Sequence, residues 1–369
     1  MLAGAATAEG TGRYAGRVGK GLPAGHFRAL DGHATSSLGL GTYLGREDEA
    51  TDALYRRAVA RALARGFNVV DTAVNYRHQR SERAVGAAIA DVVASGTSAR
   101  DEIVVSTKGG YIPFDGAMPA DPGQYVVDTY VEPGIVQPED VVGGAHCMTP
   151  RYLENQIGRS RANLGLDTID VYYLHNPEAQ LEEVERAEFM RRIRAAFGAL
   201  EGAVAAGHIG CYGTATWNGY REPPGAPGLL SLEEMVTAAK DVGGAGHHFK
   251  VIQLPYNLAM PEAVTRANQP VGKDTVSPLE AARRLGVYVM ASASVYQGQL
   301  TRNLPPLIAE YLPGLTTDAQ RALQFVRSTP GIGTALVGMK SLAHVEENAG
   351  VAKVAPMEWD QFKRLFAME

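Results

Sequence analysis

Residues 67–108 read FNVVDTAVNYRHQRSERAVGAAIADVVASGTSARDEIVVSTK and contain the strand–helix–strand pattern that decides the fold. The short apolar runs FNVVDT at 67–72 and EIVVST at 102–107 are typical of buried strands, and 81–94 has apolar residues at helical spacing. A helix between two buried strands is the connection that successive parallel strands require. The stretch therefore predicts one unit of a parallel α/β sheet.

The same alternation continues on both sides of this unit. Upstream, SSLGLG at 36–41 precedes a helical segment at 49–65. Downstream, strands are predicted at 169–175, 209–214, 249–257, 286–292 and 331–338, and helices at 150–164, 185–206, 231–242, 277–285, 317–328 and from about Ser341. Eight such strands are the number that closes a barrel. The sequence therefore predicts a single (β/α)8 TIM barrel in the α/β class.

The competing architecture is a doubly wound open sheet that binds a dinucleotide. That fold carries a GxGxxG turn between its first strand and first helix. The nearest candidate here, GLGTY at 39–43, lacks the third glycine and the helix that it should open. The barrel is therefore favoured.

The length of 369 residues suits one barrel domain with extensions. We assign 35–369 to the barrel and 1–34 to an N-terminal arm, because 1–34 is rich in Gly and Ala without a sustained period and is expected to be flexible or an irregular lid. A long insertion, 109–148, follows the third strand, although YVVDTYV at 125–131 is compatible with a short strand. A loop of this length is usually functional or disordered.

The composition argues against several classes of partner. Hydrophobic residues make up 45% of the chain and charged residues 20%, so a core can form without disulfides or metals. A net charge of −5 without a basic stripe argues against nucleic acid or an anionic membrane. Cys147 and Cys211 lack zinc spacing and indicate thiols in a reducing compartment. With no membrane-length apolar run and no secretory signal, a cytoplasmic location is expected.

Histidine pairs give no further reason to expect a metal. His247 and His248 are adjacent in the sequence, as are His146 and Cys147, and neighbours on a regular element do not easily face one ion. We expect no metal site.

Four polar side chains mark the candidate active site. Asp71, Lys108 and His175 end the second, third and fourth predicted strands, and Tyr76 follows Asp71 by five residues. In a barrel of this kind the active site lies at the carboxyl ends of the strands, so all four should face one mouth. Each side chain alone also fits an ordinary role in helix capping or core packing. The four together form a group that can adjust the pKa of the Tyr76 phenol.

The chemistry follows from the four residue types. A free tyrosine titrates near 10, too high for efficient proton donation at neutral pH. A neighbouring Lys108 should lower that value, and Asp71 should hold the lysine charged and in place. His175 could donate a hydrogen bond to a substrate carbonyl oxygen. Tyr76 is therefore predicted to be a general acid.

Five stretches form a more specific pattern: GLGTY at 39–43, NVVDTAVNY at 68–76, VVSTKGG at 104–110, LGLDTIDVYYLHNPE at 164–178 and GMKSLAHVEEN at 338–348. Together they resemble the aldo-keto reductase superfamily over about residues 36–357. By that resemblance, Asp71, Tyr76, Lys108 and His175 match the catalytic tetrad of the family, including its five-residue step from Asp to Tyr. The family transfers a hydride between NADP(H) and an aldehyde or ketone, so the resemblance implies this cofactor and a small-molecule carbonyl substrate.

The resemblance also implies the cofactor site. A cation at Lys340 would pair with the 2′-phosphate and favour NADPH over NADH, and a helix N-terminus nearby suits an anion. The matching positions are Gly41, Thr42, Tyr43, Thr216, Gln253, Ser292, Gly338, Lys340, Ser341, His344, Glu347 and Asn348.

The chain departs from the family pattern in the cofactor positions. Ala215 and Thr216 stand where the family usually has Ser-Asn. Ser292 stands where an aromatic residue often stacks on the nicotinamide, with Tyr296 as a candidate substitute from the loop. His344 replaces a frequent Gln or Arg.

The gap between the third and fourth strands is about twice that of the family, and the insertion accounts for the excess. It should therefore shape the catalytic mouth, either as a lid over a bulky substrate such as a glycoside or polyketide intermediate, or as a subunit contact. Tyr111, Phe114 and Trp217 are the aromatic residues expected near the substrate.

Alternative functions remain open at this point. A Schiff-base lyase would use Lys108 but leave 338–348 without purpose. An NADP(H)-binding sensor or regulatory subunit with little turnover would fit the missing Ser-Asn pair. An alcohol or sugar dehydrogenase would use the same groups in the oxidative direction. The sequence leaves the substrate and the oligomeric state open.

Overall fold

The computed structural model describes residues 1–366. The predicted barrel domain extends to 369, so its last three residues, 367–369, lie outside the described part of the chain. The strands are, in chain order, β1 (Phe27–Leu30), β2 (His33–Ser36), β3 (Leu38–Gly41), β4 (Val69–Asp71), β5 (Val104–Gly109), β6 (Ile169–His175), β7 (Ile209–Ala215), β8 (Phe249–Pro255), β9 (Gln269–Val271), β10 (Asp274–Val276), β11 (Tyr288–Ser292) and β12 (Thr334–Gly338).

Eight of these strands form a closed barrel in the order β3-β4-β5-β6-β7-β8-β11-β12, and β12 pairs with β3. Every pairing within the barrel is parallel. The predicted (β/α)8 barrel is confirmed, and each predicted strand overlaps a barrel strand.

The helices surround the barrel and connect its strands. They are α1 (Ala8–Val18), α2 (Glu49–Ala64), α3 (Arg80–Ala94), α4 (Pro122–Val126), α5 (Pro150–Leu164), α6 (Arg186–Ala205), α7 (Leu232–Gly243), α8 (Glu262–Thr265), α9 (Pro278–Leu285), α10 (Pro306–Tyr311), α11 (Asp318–Ser328), α12 (Leu342–Ala352) and α13 (Trp359–Phe362). None of the helices within residues 1–366 is long and apolar enough to cross a bilayer.

Local sequence explains where the main helices begin and end. Asp48 caps α2 by accepting from the Thr51 N–H at 2.8 Å, and Thr317 caps α11. Gly165 and Gly286 end α5 and α9 in the left-handed conformation, with φ of 64° and 69°. These signals agree with the predicted boundaries to within one or two residues.

Alternation along the strands places the functional side chains inside the barrel. Residues two apart in a strand share a face, and a cluster that includes Val69, Val104 and Val171 fills the interior. The inward positions that follow these valines are Asp71 in β4, Ser106 and Lys108 in β5, and Tyr173 and His175 in β6. The carboxyl-terminal layer of the barrel is therefore polar.

Residues 1–34 cover the opposite, amino-terminal end of the barrel. The expectation of a flexible or irregular arm is wrong, because this segment contains α1 and the antiparallel strand β1 paired with β2. The Ala6 N–H donates to Asp170 Oδ1 at 2.6 Å, and Thr35 Oγ1 lies 2.8 Å from Tyr288 Oη. Since Asp170 and Tyr288 stand near the starts of β6 and β11, the segment closes the end away from the polar layer.

The insertion at 109–148 is ordered after β5 and contains short helical segments joined by turns. The strand considered at 125–131 is absent, because this stretch forms α4 and a π-helical turn at Val127–Val131. A small apolar core shared with α5 explains the order, since Tyr130 packs inward from the turn against Tyr152. The buried members of that core are Tyr130, Val136, Cys147 and Tyr152.

Candidate functional site

Asp71 organises the polar layer at the carboxyl end of the barrel. Its Oδ2 accepts from Lys108 Nζ at 2.7 Å, and its Oδ1 accepts from Ser106 Oγ at 2.7 Å and from Gln253 Nε2 at 2.9 Å. Lys108 Nζ also donates to the Thr72 carbonyl at 2.7 Å. Both charges are buried, so the pair depends on these hydrogen bonds. The lysine is held in one position at the base of the site.

Tyr76 lies over this pair, with Lys108 Nζ 4.8 Å from the centre of its ring. Burial raises the pKa of the Tyr76 phenol, while the charge of Lys108 lowers it. The net pKa lies above the ordinary value, not below it as expected, because desolvation outweighs the cation. Burial lowers the pKa of Lys108, but attraction to Asp71 and Tyr76 reverses this and leaves it raised. The site thus holds a protonated phenol next to a charged ammonium.

His175 completes the cluster. Its ring centre lies 6.0 Å from that of Tyr76, in an edge-on arrangement. Burial lowers the pKa of His175 well below its usual range, and the charge of Lys108 acts in the same direction. Its Nδ1 is buried without a partner. A neutral imidazole beside the phenol can donate one hydrogen bond to a polar group in the site.

A cavity of about 800 Å³ connects this cluster to the first turn of α12. Its size lies within the range of pockets that enclose small molecules and cofactors. Of the tetrad, Asp71, Tyr76 and His175 line it, and Lys108 lies behind Asp71. The predicted cofactor positions that line it are Gly41, Thr42, Tyr43, Thr216, Gln253, Ser292, Gly338, Lys340, His344, Glu347 and Asn348.

Ser341 is the predicted cofactor residue that does not line the cavity. It is the N-cap of α12, and its hydroxyl accepts from the His344 N–H at 3.2 Å. Lys340, immediately before the cap, is exposed at the cavity edge. The helix N-terminus and this cation together make the α12 end of the cavity suitable for an anion.

Polar atoms along the cavity are available to a bound cofactor. Thr216 Oγ1 and Asn348 Oδ1 are buried without a hydrogen-bond partner, and buried polar groups are normally paired. Thr42 differs, because its hydroxyl donates to the Asp71 carbonyl at 3.1 Å. These polar atoms therefore suit a long polar ligand that reaches from the tetrad to α12.

The predicted substrate residues separate into two groups. Tyr111 and Trp217 line the cavity, and the Tyr111 and His175 ring centres are 5.1 Å apart. Phe114 does not line it, because its ring packs on His78 and Tyr125. Tyr296 is also absent from the lining, so the loop after β11 does not supply the expected aromatic substitute.

Several lining residues were missed. Asn75 and Asn176 are direct neighbours of Tyr76 and His175, and their position after barrel strands was a signal that could have identified them. The loop after β11 had no comparable signal, because its course depends on left-handed residues, which include Ala293 at φ 52°. The lining residues of this loop are Ala293, Ser294, Val295, Gln297, Gly298 and Thr301.

No group of three or more His, Cys, Asp or Glu side chains within residues 1–366 is arranged to hold an ion. His146 and Cys147, adjacent in the sequence, are both buried in the insertion.

Comparison with known proteins places these features in a family. Residues 37–222 match the model of the aldo/keto reductase family. A curated relative, the prostaglandin-E(2) 9-reductase of Oryctolagus cuniculus, is 29% identical over 155 residues, or 42% of this chain. The chain matches only 36% of the length of that relative.

Solved structures share the fold over nearly the whole chain. An aldo/keto reductase from Klebsiella pneumoniae in complex with NADP and acetate is 20% identical, with a TM-score of 0.61 and coverage of 93% of this chain and 94% of that one. The glycerol dehydrogenase of Gluconobacter oxydans is 18% identical, with a TM-score of 0.64 and coverage of 94% and 95%. At these identities the likeness establishes the fold.

Proposed function

The chain belongs to the aldo/keto reductase family, and from that premise we propose that it is an NADP(H)-dependent oxidoreductase that reduces an aldehyde or ketone to an alcohol. Tyr76 is the general acid in this proposal. The observation that carries it is the Asp71–Lys108 pair, joined at 2.7 Å beneath the Tyr76 ring and beside a neutral His175.

Each residue has a defined part in the reduction. The chemistry that NADPH would supply when bound is the hydride for the carbonyl carbon. His175 donates a hydrogen bond to the carbonyl oxygen, which orients the substrate and stabilises the charge that builds there. Tyr76 transfers its phenolic proton to that oxygen, and Lys108 stabilises the phenolate that remains. Asp71 keeps the ammonium charged and in place.

The raised pKa of Tyr76 makes its phenol a weaker acid than free tyrosine, so the proton transfer needs assistance. The charge of Lys108, which lowers this pKa, supplies part of that assistance. The proton then moves as negative charge develops on the carbonyl oxygen, where the neighbouring Lys108 favours the transfer.

NADP(H) would occupy the cavity between Tyr76 and α12. Thr216 and Gln253 would hold its nicotinamide end, and Asn348 would contact its adenine end. Lys340, exposed beside the N-terminus of α12, would pair with the 2′-phosphate and favour NADPH over NADH. The unpartnered Thr216 Oγ1 and Asn348 Oδ1 support this placement.

The alternative functions differ in how well they fit. A Schiff base requires a neutral amine, whereas Lys108 is bound to Asp71 and has a raised pKa. A sensor without turnover gains support only from Ala215, whose side chain offers no hydrogen bond at a cofactor position. Oxidation of an alcohol or sugar uses the same residues in reverse.

Binding and turnover test the proposal together. We expect NADPH to bind more tightly than NADH in a fluorescence titration, and its absorbance to fall when aldehydes, ketones or oxidised sugars are added. Binding without oxidation by any carbonyl would favour the sensor. If neither NADPH nor NADH bound, the proposed function would be contradicted.

A further inference from the structure

We propose that His146, which the insertion contributes, is a positioning residue for His175. The inference rests on the proposed function, because it assigns the insertion a part in holding the residue that orients the substrate carbonyl. His146 does not line the cavity and acts through the main chain of His175.

The contact between the two histidines is direct. His146 Nε2 lies 2.7 Å from the main-chain oxygen of His175. His146 is buried, with 2% of its surface exposed, so water does not compete for this bond. The two residues are 29 positions apart in sequence, and the long loop brings them together.

A chain of hydrogen bonds fixes which histidine nitrogen carries the proton. Arg192 Nη1 donates to Gln180 Oε1 at 2.5 Å, and Gln180 Nε2 lies 2.9 Å from His146 Nδ1. Arginine has only donors, so the Gln180 oxygen must face it and the Gln180 amide must donate to Nδ1. Nδ1 is therefore the acceptor, and Nε2–H donates to His175.

The peptide after His175 is thereby held from both sides. Its oxygen accepts from His146, and its N–H, that of Asn176, donates to the Ala215 carbonyl at 2.6 Å. Asn176 has a φ of 45°, in the left-handed region that costs free energy for a residue with a side chain. The two bonds stabilise this conformation and join the insertion to the end of β7.

The backbone of the insertion leaves room for His146 to approach the main-chain oxygen of His175. Gly110 has a φ of 147°, and a Cβ on it would lie 2.8 Å from the His175 oxygen and 2.9 Å from His146 Nε2. Only glycine leaves room for the bond. Tyr111 then stands edge-on to both rings, 5.2 Å from His146 and 5.1 Å from His175.

Kinetics of matched variants test the role. His146→Ala should lower kcat/KM for the best carbonyl substrate by about 10- to 100-fold, because small misplacements at a reacting centre have effects of that order. His146→Gln should recover most of the loss, since its amide can donate to the same oxygen, and NADPH affinity should stay unchanged. Cys147→Ala, which removes the neighbouring buried thiol but leaves the His146 imidazole unchanged, should keep wild-type kinetics. Equal losses in the Gln and Ala variants, or in Cys147→Ala, would overturn the proposal.

An NMR measurement that does not depend on turnover tests the positioning role of His146 separately from the proposed function. In protein labelled with 15N-histidine, the His146 resonances should show a proton on Nε2 and none on Nδ1. The His175 resonances should shift in His146→Ala and return in His146→Gln. If they do so while no carbonyl oxidises NADPH, the function fails and the positioning role stands. Unmoved His175 resonances in an active His146→Ala variant would refute the positioning role alone.

Discussion

Burial keeps uncharged two histidines that do not line the cavity, His26 and His146. It lowers the pKa of His26, near the amino-terminal end of the barrel, to about 4, and that of His146 to about 4. In an unfolded chain histidine titrates near 6.5. Between these values the unfolded state binds more protons than the folded one. Their contribution to stability is therefore complete above about pH 6.5 and is lost as the pH falls towards 4.

His26→Gln should make the free energy of unfolding less sensitive to acid. Glutamine does not titrate and can still donate to the Gly66 carbonyl, which lies 3.0 Å from His26 Nε2. In urea denaturation, wild type should lose about 1 to 2 kcal/mol more than the variant between pH 7 and pH 5. His344→Gln, at an exposed histidine, is the control and should follow wild type. Parallel pH curves for wild type and His26→Gln would contradict the account.

The sequence predicted that Asp71, Tyr76, Lys108 and His175 would lie together, because strand ends can be read from apolar runs and inward positions follow from alternation. It could not reveal the pKa of Tyr76, because desolvation depends on packing around the ring. The same holds for Phe114, whose distance from the cavity is set by the fold of the insertion.

Among the elements, α1 is a helix that the amino-acid composition of its segment does not predict. AEGTGRYAGRV contains three glycines and looks flexible, yet a Cβ on Gly10 would lie 2.3 Å from the Asp101 main-chain oxygen. The glycine permits close packing against the turn before β5. Helices such as α2 and α11 were predictable because their apolar period and N-caps are local, whereas α1 depends on contacts distant in sequence.

Tyr14→Ala should reveal α1 as a structural element. The side chain is fully buried and its hydroxyl donates to the Leu63 carbonyl. Truncation should lower the free energy of unfolding by about 3 to 5 kcal/mol, while Tyr14→Phe should cost about 1 to 2 kcal/mol. NADPH affinity should not change in either folded variant, because α1 lies at the end of the barrel opposite the cavity. If NADPH affinity fell in parallel with stability, the view that α1 is independent of the cavity would be contradicted.

At the level of the whole molecule, the segment that stabilises the barrel and the proposed active site lie at opposite ends of the barrel. Residues 1–34 close its amino-terminal end, and the insertion packs beside the tetrad at the other. The count of strands and helices was sufficient to predict this barrel. The course of the insertion and of the loop after β11 was not predictable, because neither has a periodic pattern and both depend on particular tertiary contacts.

The central claim is that Tyr76 donates the proton in an NADPH-dependent carbonyl reduction. The most direct test is the rate of NADPH oxidation by Tyr76→Phe, with the best substrate of the wild type and with NADPH affinity measured in parallel. The account predicts unchanged affinity and a turnover lowered by about two orders of magnitude or more, as expected for loss of a general acid. Turnover close to that of the wild type would contradict it.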